Sequence, residues 1–158
     1  MKGRSSNVAT KKAKAVKKKV VREAVKESGV RHIPWSSVTL DQLNPLIDRQ
    51  FVVGQEIMVA RVLMKKGAIV PLHSHHNEQV TYILEGALKF WIDGRAIVVS
   101  AGEVLTIPPH MPHKAEALQD TVDLDVFTPP RADWIKGTDV YLRDAENKQH
   151  TKTPHVVG

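Results

Sequence analysis

Apolar and polar residues alternate in short runs between about residue 51 and residue 128, and turns containing Gly, Pro or Asp separate the runs. Alternation with a period of two is the pattern of a strand with one buried face. No segment of helical period interrupts the runs, which predicts an all-β fold, an antiparallel sandwich or barrel. The Asp93-Gly94 pair indicates a β-hairpin. The predicted strands are 51–53, 56–64, 78–85, 88–92, 95–99, 104–107, 113–118 and 121–127.

The segments that flank this region follow other patterns. We expect residues 31–38 to be extended, and Thr39 to Pro45 to form one helical turn with Thr39 as its cap. After the last strand the chain is polar, and we expect Asp133-Trp134-Ile135 to pack back onto the barrel. The predicted organisation is a basic N-terminal extension over 1–30, a barrel domain over 31–143 and a polar C-terminal tail over 144–158.

The basic character of the chain belongs to its N-terminal extension. Residues 1–30 contain ten Lys or Arg and two Glu, a net charge of +8, whereas the other 128 residues contain thirteen basic and fifteen acidic residues, a net charge of −2. Such a segment is typical of a solvated extension that is disordered or partly helical. A nucleic-acid tether is the alternative, but no aromatic side chain lies among the lysines to stack on bases. We therefore expect no nucleic-acid partner.

The composition excludes several other classes of protein. The chain has no cysteine, so metal ligands must be histidine, carboxylate or amide groups. No apolar run approaches the roughly 18 residues of a membrane span. The basic N-terminus also lacks the apolar stretch of a secretory signal. We expect a cytoplasmic protein with one domain and no membrane association.

Four residues in two segments have the chemistry of a metal site. His73 and His75 stand two positions apart, Gln79 follows four positions later, and His113 comes after a turn rich in Gly and Pro. Side chains two apart on a strand share a face, and two hairpins facing each other across a closed barrel would bring all four together. Neutral imidazoles with one oxygen donor suit one divalent transition metal ion: Ni, Zn, Mn, Fe, Co or Cu.

Residues on and after the last predicted strand could complete a substrate site. Asp125 and Phe127 share a face with Asp123, and an inward Asp125 would lie near the metal as a general acid or base. Arg131 could bind a substrate carboxylate in bidentate fashion, and a structural salt bridge with Asp125 is the alternative. Phe127 is either a pocket wall or a core residue. Arg61 is a further candidate for substrate binding.

The two metal-site segments resemble the paired motifs of the cupin superfamily. The first motif, which is a glycine, a His-x-His pair, a carboxylate and a second glycine, corresponds to Gly67, His73, His75, Gln79 and Gly86. The second corresponds to Gly102, Pro108 and His113. The chain departs from the usual pattern with Gln79 in the place of Glu, and with His110 and Ala117 in the places of Gly and Asn. The resemblance implies a single cupin barrel, a jelly roll, that binds one metal ion.

A narrower resemblance is to the KdgF-type cupins of pectin and alginate breakdown. It rests on residues 73–79, 107–113 and 124–134. In that family three His and one Gln hold a divalent metal, and an Asp, a Phe and an Arg line the substrate site. These roles fall on Asp125, Phe127 and Arg131. Those enzymes promote conversion of 4,5-unsaturated uronate monomers into linear keto forms.

The resemblance implies a metal-dependent enzyme with a small-molecule substrate, an oxygenated acid such as an unsaturated uronate, and an isomerase or lyase-like reaction. Two other functions stay open: a metal-dependent dioxygenase, and a non-catalytic sensor or small-molecule-binding cupin. Cupins usually dimerise through edge strands. We expect a homodimer whose interface involves the apolar strands at 51–63.

Overall fold

A computed structural model describes residues 29–143 of the chain. The predicted extension lies outside the described residues apart from its last two positions, and the predicted tail over 144–158 lies outside them entirely. Between residues 29 and 143, ten β-strands form two antiparallel sheets and two short helices follow the last strand. None of the helices in this part of the chain is long and apolar enough to cross a membrane.

The order of the strands gives a sandwich of two sheets, which confirms the predicted all-β jelly-roll architecture. The strands are β1 (Asp41–Asn44), β2 (Ile47–Val53), β3 (Met58–Met64), β4 (Ile69–His73), β5 (Glu78–Glu85), β6 (Ala87–Ile92), β7 (Arg95–Ser100), β8 (Val104–Ile107), β9 (His113–Ala117) and β10 (Thr121–Thr128). The helices are α1 (Ala132–Lys136) and α2 (Val140–Arg143). One sheet has the order β1-β2-β3-β10-β5-β8, and the other has the order β4-β9-β6-β7.

The inner face of β10 differs from that of its neighbour β3. Both strands alternate between buried and half-buried positions, as the sequence period predicts. On β3 the buried positions are apolar, for example Met58 and Ala60. On β10 they include Asp123 and Asp125. Carboxyl groups rarely lie fully buried without a function or a partner, so β10 marks the chemically unusual wall of the core.

The expected helical turn at Thr39 to Pro45 is wrong. Residues Trp35–Ser37 form one short 3₁₀ turn, and Asp41–Asn44 forms β1 instead. β1 pairs with β2, with Asp41 opposite Arg49, and this pairing places Leu43 in the core at 6% exposure. Tertiary pairing and burial therefore outweigh the weak local preference for a helix.

The strands at 51–63 are not edge strands, which corrects the expected dimer interface. β2 lies between β1 and β3, and β3 lies between β2 and β10. Their main-chain groups are thus paired on both sides, and the edges of this sheet are β1 and β8. The homodimer stays a prediction, but an edge-to-edge contact through these two strands is excluded.

Gly86→Ala is expected to destabilise the barrel by about 3 kcal/mol, because two penalties add. Gly86 has a φ of 81°, and a Cβ there would overlap the main-chain oxygen of Asp120 and the side chain of Thr121. Gly102→Ala is the matched control, since Gly102 has a φ of 86° but open space around the new Cβ. We expect the control to cost about 1 kcal/mol in urea unfolding. Equal losses in the two variants would contradict the steric part.

Candidate metal centre

Three histidines meet where the two motif segments come together. His73 ends β4 and pairs in register with His113 at the start of β9, while His75 lies in the connection to β5. One ligand nitrogen from each ring lies within 4.8 Å of the other two. His76 and His110 are exposed and lie outside this cluster.

The four side chains converge because an irregular connection separates β4 from β5, which the strand period did not predict. His73 belongs to the four-stranded sheet and Gln79 to the six-stranded sheet, with an irregular connection at residues 74–77 between them. The four side chains are therefore not aligned along one strand. They meet because the first motif crosses from one sheet to the other beside the second motif.

Main-chain carbonyls fix which nitrogen each ring presents to the cluster. The Nδ1 atoms of His73, His75 and His113 lie 2.8, 3.0 and 2.8 Å from the carbonyl oxygens of Pro71, Asn77 and Met111, respectively. A carbonyl oxygen only accepts hydrogen bonds, so each Nδ1 carries the proton in the neutral ring. Each Nε2 is left with a lone pair. This is how metal-binding histidines are usually held in proteins.

Gln79 presents its amide oxygen to the same point. Its Nε2 donates to Thr81 Oγ1 at 2.9 Å and to Asp125 Oδ1 at 3.0 Å, which fixes the orientation of the amide. Gln79 Oε1 consequently lies 3.1 Å from His75 Nε2. With His75 protonated on Nδ1, both of these atoms are acceptors, and a cation between them removes the conflict. The donor set therefore fits a divalent transition metal.

Burial keeps the three imidazoles neutral. Desolvation is the main cause that lowers the pKa of His73 to about 3, and the charge of the neighbouring His113 is the second. Desolvation is also the main cause that lowers the pKa of His75 to about 4, and the charge of Arg131 is the second. Desolvation also lowers the pKa of His113. Protons therefore compete weakly for the ligand nitrogens at neutral pH.

Metal affinity is expected to fall less than about tenfold between pH 7.5 and pH 5.5, because the folded histidines stay neutral over this interval. Three exposed histidines with ordinary pKa values would lose about a thousandfold in affinity over the same interval. Competition between the protein and a chelator of known pH dependence for Zn²⁺ measures this directly. A loss above a hundredfold would contradict the buried, neutral cluster.

The same shifts set the sign of the pH effect on the metal-free protein. Because the folded pKa values lie below that of an unfolded histidine, the unfolded chain binds more protons below pH 6.5. The stabilising contribution of these residues is therefore complete above about pH 6.5 and is lost as the pH falls towards 3.

Asp125 holds the candidate ligand Gln79 in its orientation. Asp125 Oδ1 accepts hydrogen bonds from Gln79 Nε2 and, at 2.5 Å, from Thr81 Oγ1. Asp125 and Thr81 are directly opposite on β10 and β5. Gln79 is a neutral amide at the position where the cupin motif usually has a Glu. The nearest carboxyl group on this side of the histidine cluster is that of Asp125, which is hydrogen-bonded to Gln79.

Asp123 lies on the same buried face and differs from Asp125 in its partners. Its Oδ1 has no hydrogen-bond partner among the described residues. Burial raises the pKa of both carboxyls, and the charge of Asp125 raises that of Asp123 further. The bonds from Thr81 and Gln79 oppose the rise at Asp125. The pKa of Asp123 is therefore raised more than that of Asp125.

Arg131 does not pair with Asp125, and its bidentate face is not open to a ligand. Its Nε and Nη2 donate to the two carboxylate oxygens of Asp133, at 2.9 and 2.7 Å. Its Nη2 also donates to the Tyr141 hydroxyl at 3.0 Å. Asp133 occupies the planar pair of donors with which Arg131 was expected to bind a substrate carboxylate. With Asp133 in place, only the remaining N–H groups of Arg131 can contact a ligand. Arg131 lines the cavity, and its role in substrate binding stays a prediction.

The two residues expected to bind substrate are placed differently. Phe127 is 1% exposed, and its ring stands edge-on to the His75 ring at a centroid distance of 5.7 Å. Phe127 therefore forms a wall of the cavity. Arg61 is half-buried on β3 between the inward residues Ala60 and Val62, so it belongs to the outer face of the sheet. The structure does not bring Arg61 to the cavity.

A partly open cavity beside the histidines has a volume of about 50 Å³. Two of its lining residues carry no motif signal, namely Arg49 on β2 and Tyr141 on α2. The Tyr141 ring stacks on the His73 ring, with a centroid distance of 4.6 Å and an interplanar angle of 21°. Sequence patterns missed Tyr141 because it lies in a polar segment after the last strand. The one available signal was that Tyr141 is an aromatic residue in a polar segment.

Comparison with known proteins agrees with this geometry. The model of the cupin domain matches residues 60–128. An RmlC-like cupin from Shewanella frigidimarina NCIMB 400 is 28% identical, with a TM-score of 0.62 over 66% of this chain and 96% of that protein. KdgF from a Halomonas species is 26% identical, with a TM-score of 0.63 over 66% of this chain and 98% of that protein.

Two further matches are also consistent with a cupin fold. An uncharacterised protein of Methanocaldococcus jannaschii, MJ1618, is 28% identical in an 88-residue alignment that covers 48% of this chain and 70% of that protein. A predicted oxalate decarboxylase from Thermotoga maritima is 20% identical, with a TM-score of 0.57, over 63% of this chain and all of that one, and shows likeness of fold alone. The jelly roll, the three-histidine cluster and these matches define a small single-domain cupin. Residues 60–128 thus match the cupin domain, and KdgF is among the solved structures that the chain resembles.

Proposed function

We propose that this protein is a metal-dependent enzyme that isomerises 4,5-unsaturated uronates to linear keto acids. The observation that carries the proposal is the buried carboxyl pair of Asp123 and Asp125, which lines the same cavity as the histidine cluster. Acid–base groups in a buried, polar cavity suit a reaction that moves protons without changing the oxidation state of its substrate. The likeness to KdgF suggests the substrate class.

The reaction requires no co-reactant. A proton leaves the C1 hydroxyl of the unsaturated ring, the bond between C1 and the ring oxygen breaks, and C1 becomes a carbonyl. The ring oxygen stays on C5 as an enolate, and a proton added at C4 converts the enolate into a ketone. One proton leaves and one returns, so substrate and product are isomers.

The proposed ligands of the metal ion are His73, His75, Gln79 and His113, and the ion would supply Lewis acidity at the substrate oxygens. Asp125 is the proposed acid–base residue, because its carboxyl lines the cavity and its Oδ1 is oriented by Thr81 and Gln79. Phe127 excludes water from one wall of the cavity. Only the reacting end of the sugar acid enters the inner cavity of about 50 Å³.

Loss of ultraviolet absorbance of an unsaturated uronate monomer tests the proposal. We expect the full-length, Zn²⁺- or Ni²⁺-loaded protein to accelerate the loss well above the spontaneous rate, and chelator treatment to remove the acceleration. The linear keto acid is identified by NMR. A rate equal to that of buffer with the same metal would overturn the proposal.

A parallel oxygen-electrode measurement separates the alternative functions. A dioxygenase consumes oxygen with an Fe²⁺- or Mn²⁺-loaded protein and a phenolic or diketone substrate, whereas the proposed isomerase consumes none. A sensor cupin binds a uronate without turnover. In that case binding measured by calorimetry would persist while the ultraviolet assay stays at the spontaneous rate.

A further inference from the structure

The hydroxyl of Tyr141 contacts side chains that donate hydrogen bonds to it, and the nearby Asp133 carboxylate accepts with both oxygens from Arg131 instead. Arg131 Nη2 donates to it at 3.0 Å. The indole of Trp134 also lies beside it, and the Trp134 Nε1 proton has no other partner among the described residues. A guanidinium and an indole N–H cannot accept a proton. The lone pairs of the phenol oxygen are therefore used, while its own O–H has no acceptor in this group of side chains.

The stacked histidine does not accept the phenol proton either. The His73 and Tyr141 rings lie face to face, and His73 Nδ1 donates to Pro71 while Nε2 faces the cluster. A phenol has a pKa of about 10 and keeps its proton at neutral pH. Tyr141 lines the cavity. Its hydroxyl proton is thus free to reach a ligand held there.

Several polar contacts hold α2, and with it Tyr141, against the barrel. Arg49 donates to Asp139, just before α2, at 2.6 Å, and both side chains are buried. Asn44 Nδ2 donates to the carbonyl of Leu142 at 3.0 Å. These contacts bracket Tyr141 on both sides in the sequence. A donor held in place before the ligand arrives loses little conformational entropy when it binds.

We propose that Tyr141 determines specificity by donating a hydrogen bond to an acceptor oxygen of the ligand in the cavity. The inference rests on the proposed function for the class of ligand, an oxygenated acid. It adds a selection rule. Ligands that place a carbonyl, carboxylate or ether oxygen opposite the phenol are bound, and analogues with an apolar group at that position are disfavoured because the hydroxyl would stay unpaired.

The chain has two tyrosines, which provides a matched pair of variants. Tyr141→Phe removes only the hydroxyl and keeps the ring that stacks on His73. Tyr82→Phe removes the hydroxyl of an exposed residue on the outer face of β5. Calorimetry with the Zn²⁺-loaded full chain and galacturonate, a saturated hexuronate, measures the affinity. We expect Tyr141→Phe to bind about fivefold to tenfold more weakly, and Tyr82→Phe to bind like the wild type.

A second readout distinguishes contact with the ligand from a structural role. With ¹³Cζ-labelled tyrosine, the two variants assign the two phenol resonances. Galacturonate is expected to shift the Tyr141 resonance and leave that of Tyr82 unchanged. Unchanged affinity in Tyr141→Phe, or weaker binding with no shift of the wild-type Tyr141 resonance, overturns the inference alone. Absence of galacturonate binding to the wild type overturns both the inference and the uronate assignment on which it rests.

Discussion

His113→Ala is expected to weaken metal binding on the order of a thousandfold, and metal-dependent turnover is expected to disappear with it. His113 is 2% exposed, and its Nδ1 is held by the Met111 carbonyl, so Nε2 is positioned before the metal arrives. His110, the other histidine of this turn, cannot take its place because it is exposed and outside the cluster.

His110→Ala is the matched control for this experiment. It removes an imidazole from the same turn, and we expect its metal affinity and turnover to equal those of the wild type. Metal content after dialysis and competition with a chelator give the affinity, and circular dichroism shows that both variants are folded. Equal metal affinity in the two variants would exclude His113 as a ligand.

Asp125→Asn is expected to lower turnover of an unsaturated uronate on the order of a thousandfold while changing metal affinity less than about tenfold. The asparagine oxygen can still accept the hydrogen bonds from Gln79 and Thr81, so the metal ligand keeps its orientation. The amide cannot take up and return a proton. Rates and metal affinity are measured separately on the same preparations, with all variants fully loaded with metal.

Two further variants separate the possible roles of this carboxyl group. Asp123→Asn replaces a buried carboxyl of raised pKa with a neutral group of similar shape, and we expect turnover to fall less than about tenfold. Asp125→Ala removes the support of Gln79 as well, and we expect metal affinity to fall about 10- to 100-fold. If Asp125→Asn retained full turnover, Asp125 would be a positioning residue for Gln79 and would have no acid–base role.

The strands were predictable because their local pattern agrees with their final environment. β5 and β8 occupy the predicted residues 78–85 and 104–107, and β10 extends one residue beyond its prediction. The Asp-Gly hairpin also has the expected register, with Ile92 opposite Arg95. The period of two survives folding here because one face of each strand packs on the core and the other does not. At β1 the pairing partner decided the conformation instead, and the local pattern failed.

The positions of the candidate ligands were predictable, but the reason for their convergence was not. Histidine spacing and the glycine and proline punctuation indicate His73, His75, Gln79 and His113. The even spacing of His73, His75 and Gln79 suggested that they lie on one face of a single strand. In the structure, His73 and Gln79 belong to different sheets. A pattern of near neighbours carries no information about a crossing between sheets, since that crossing is fixed by long-range strand pairing.

The hydrogen-bond partners of the charged side chains depended on tertiary structure even more than the convergence of the candidate ligands did. From the sequence, Arg131 was expected to bind a substrate carboxylate, with a salt bridge to Asp125 as the alternative. The structure pairs Arg131 with Asp133 and Tyr141. It leaves Asp125 to orient Gln79. Hydrogen-bond partners are chosen by distance and direction within a few ångströms, and these follow from how α1 and α2 pack on the barrel.

By itself, therefore, the sequence determined the all-β class, most strand boundaries and the four residues with metal-binding chemistry, because periodicity and side-chain chemistry are local properties. The tertiary structure alone decided that the ligands converge from two sheets, that Arg61 faces outward and that Tyr141 stacks on His73. Those outcomes depend on which distant segments meet, and the free energy of their burial and pairing is not encoded in any short stretch of the chain.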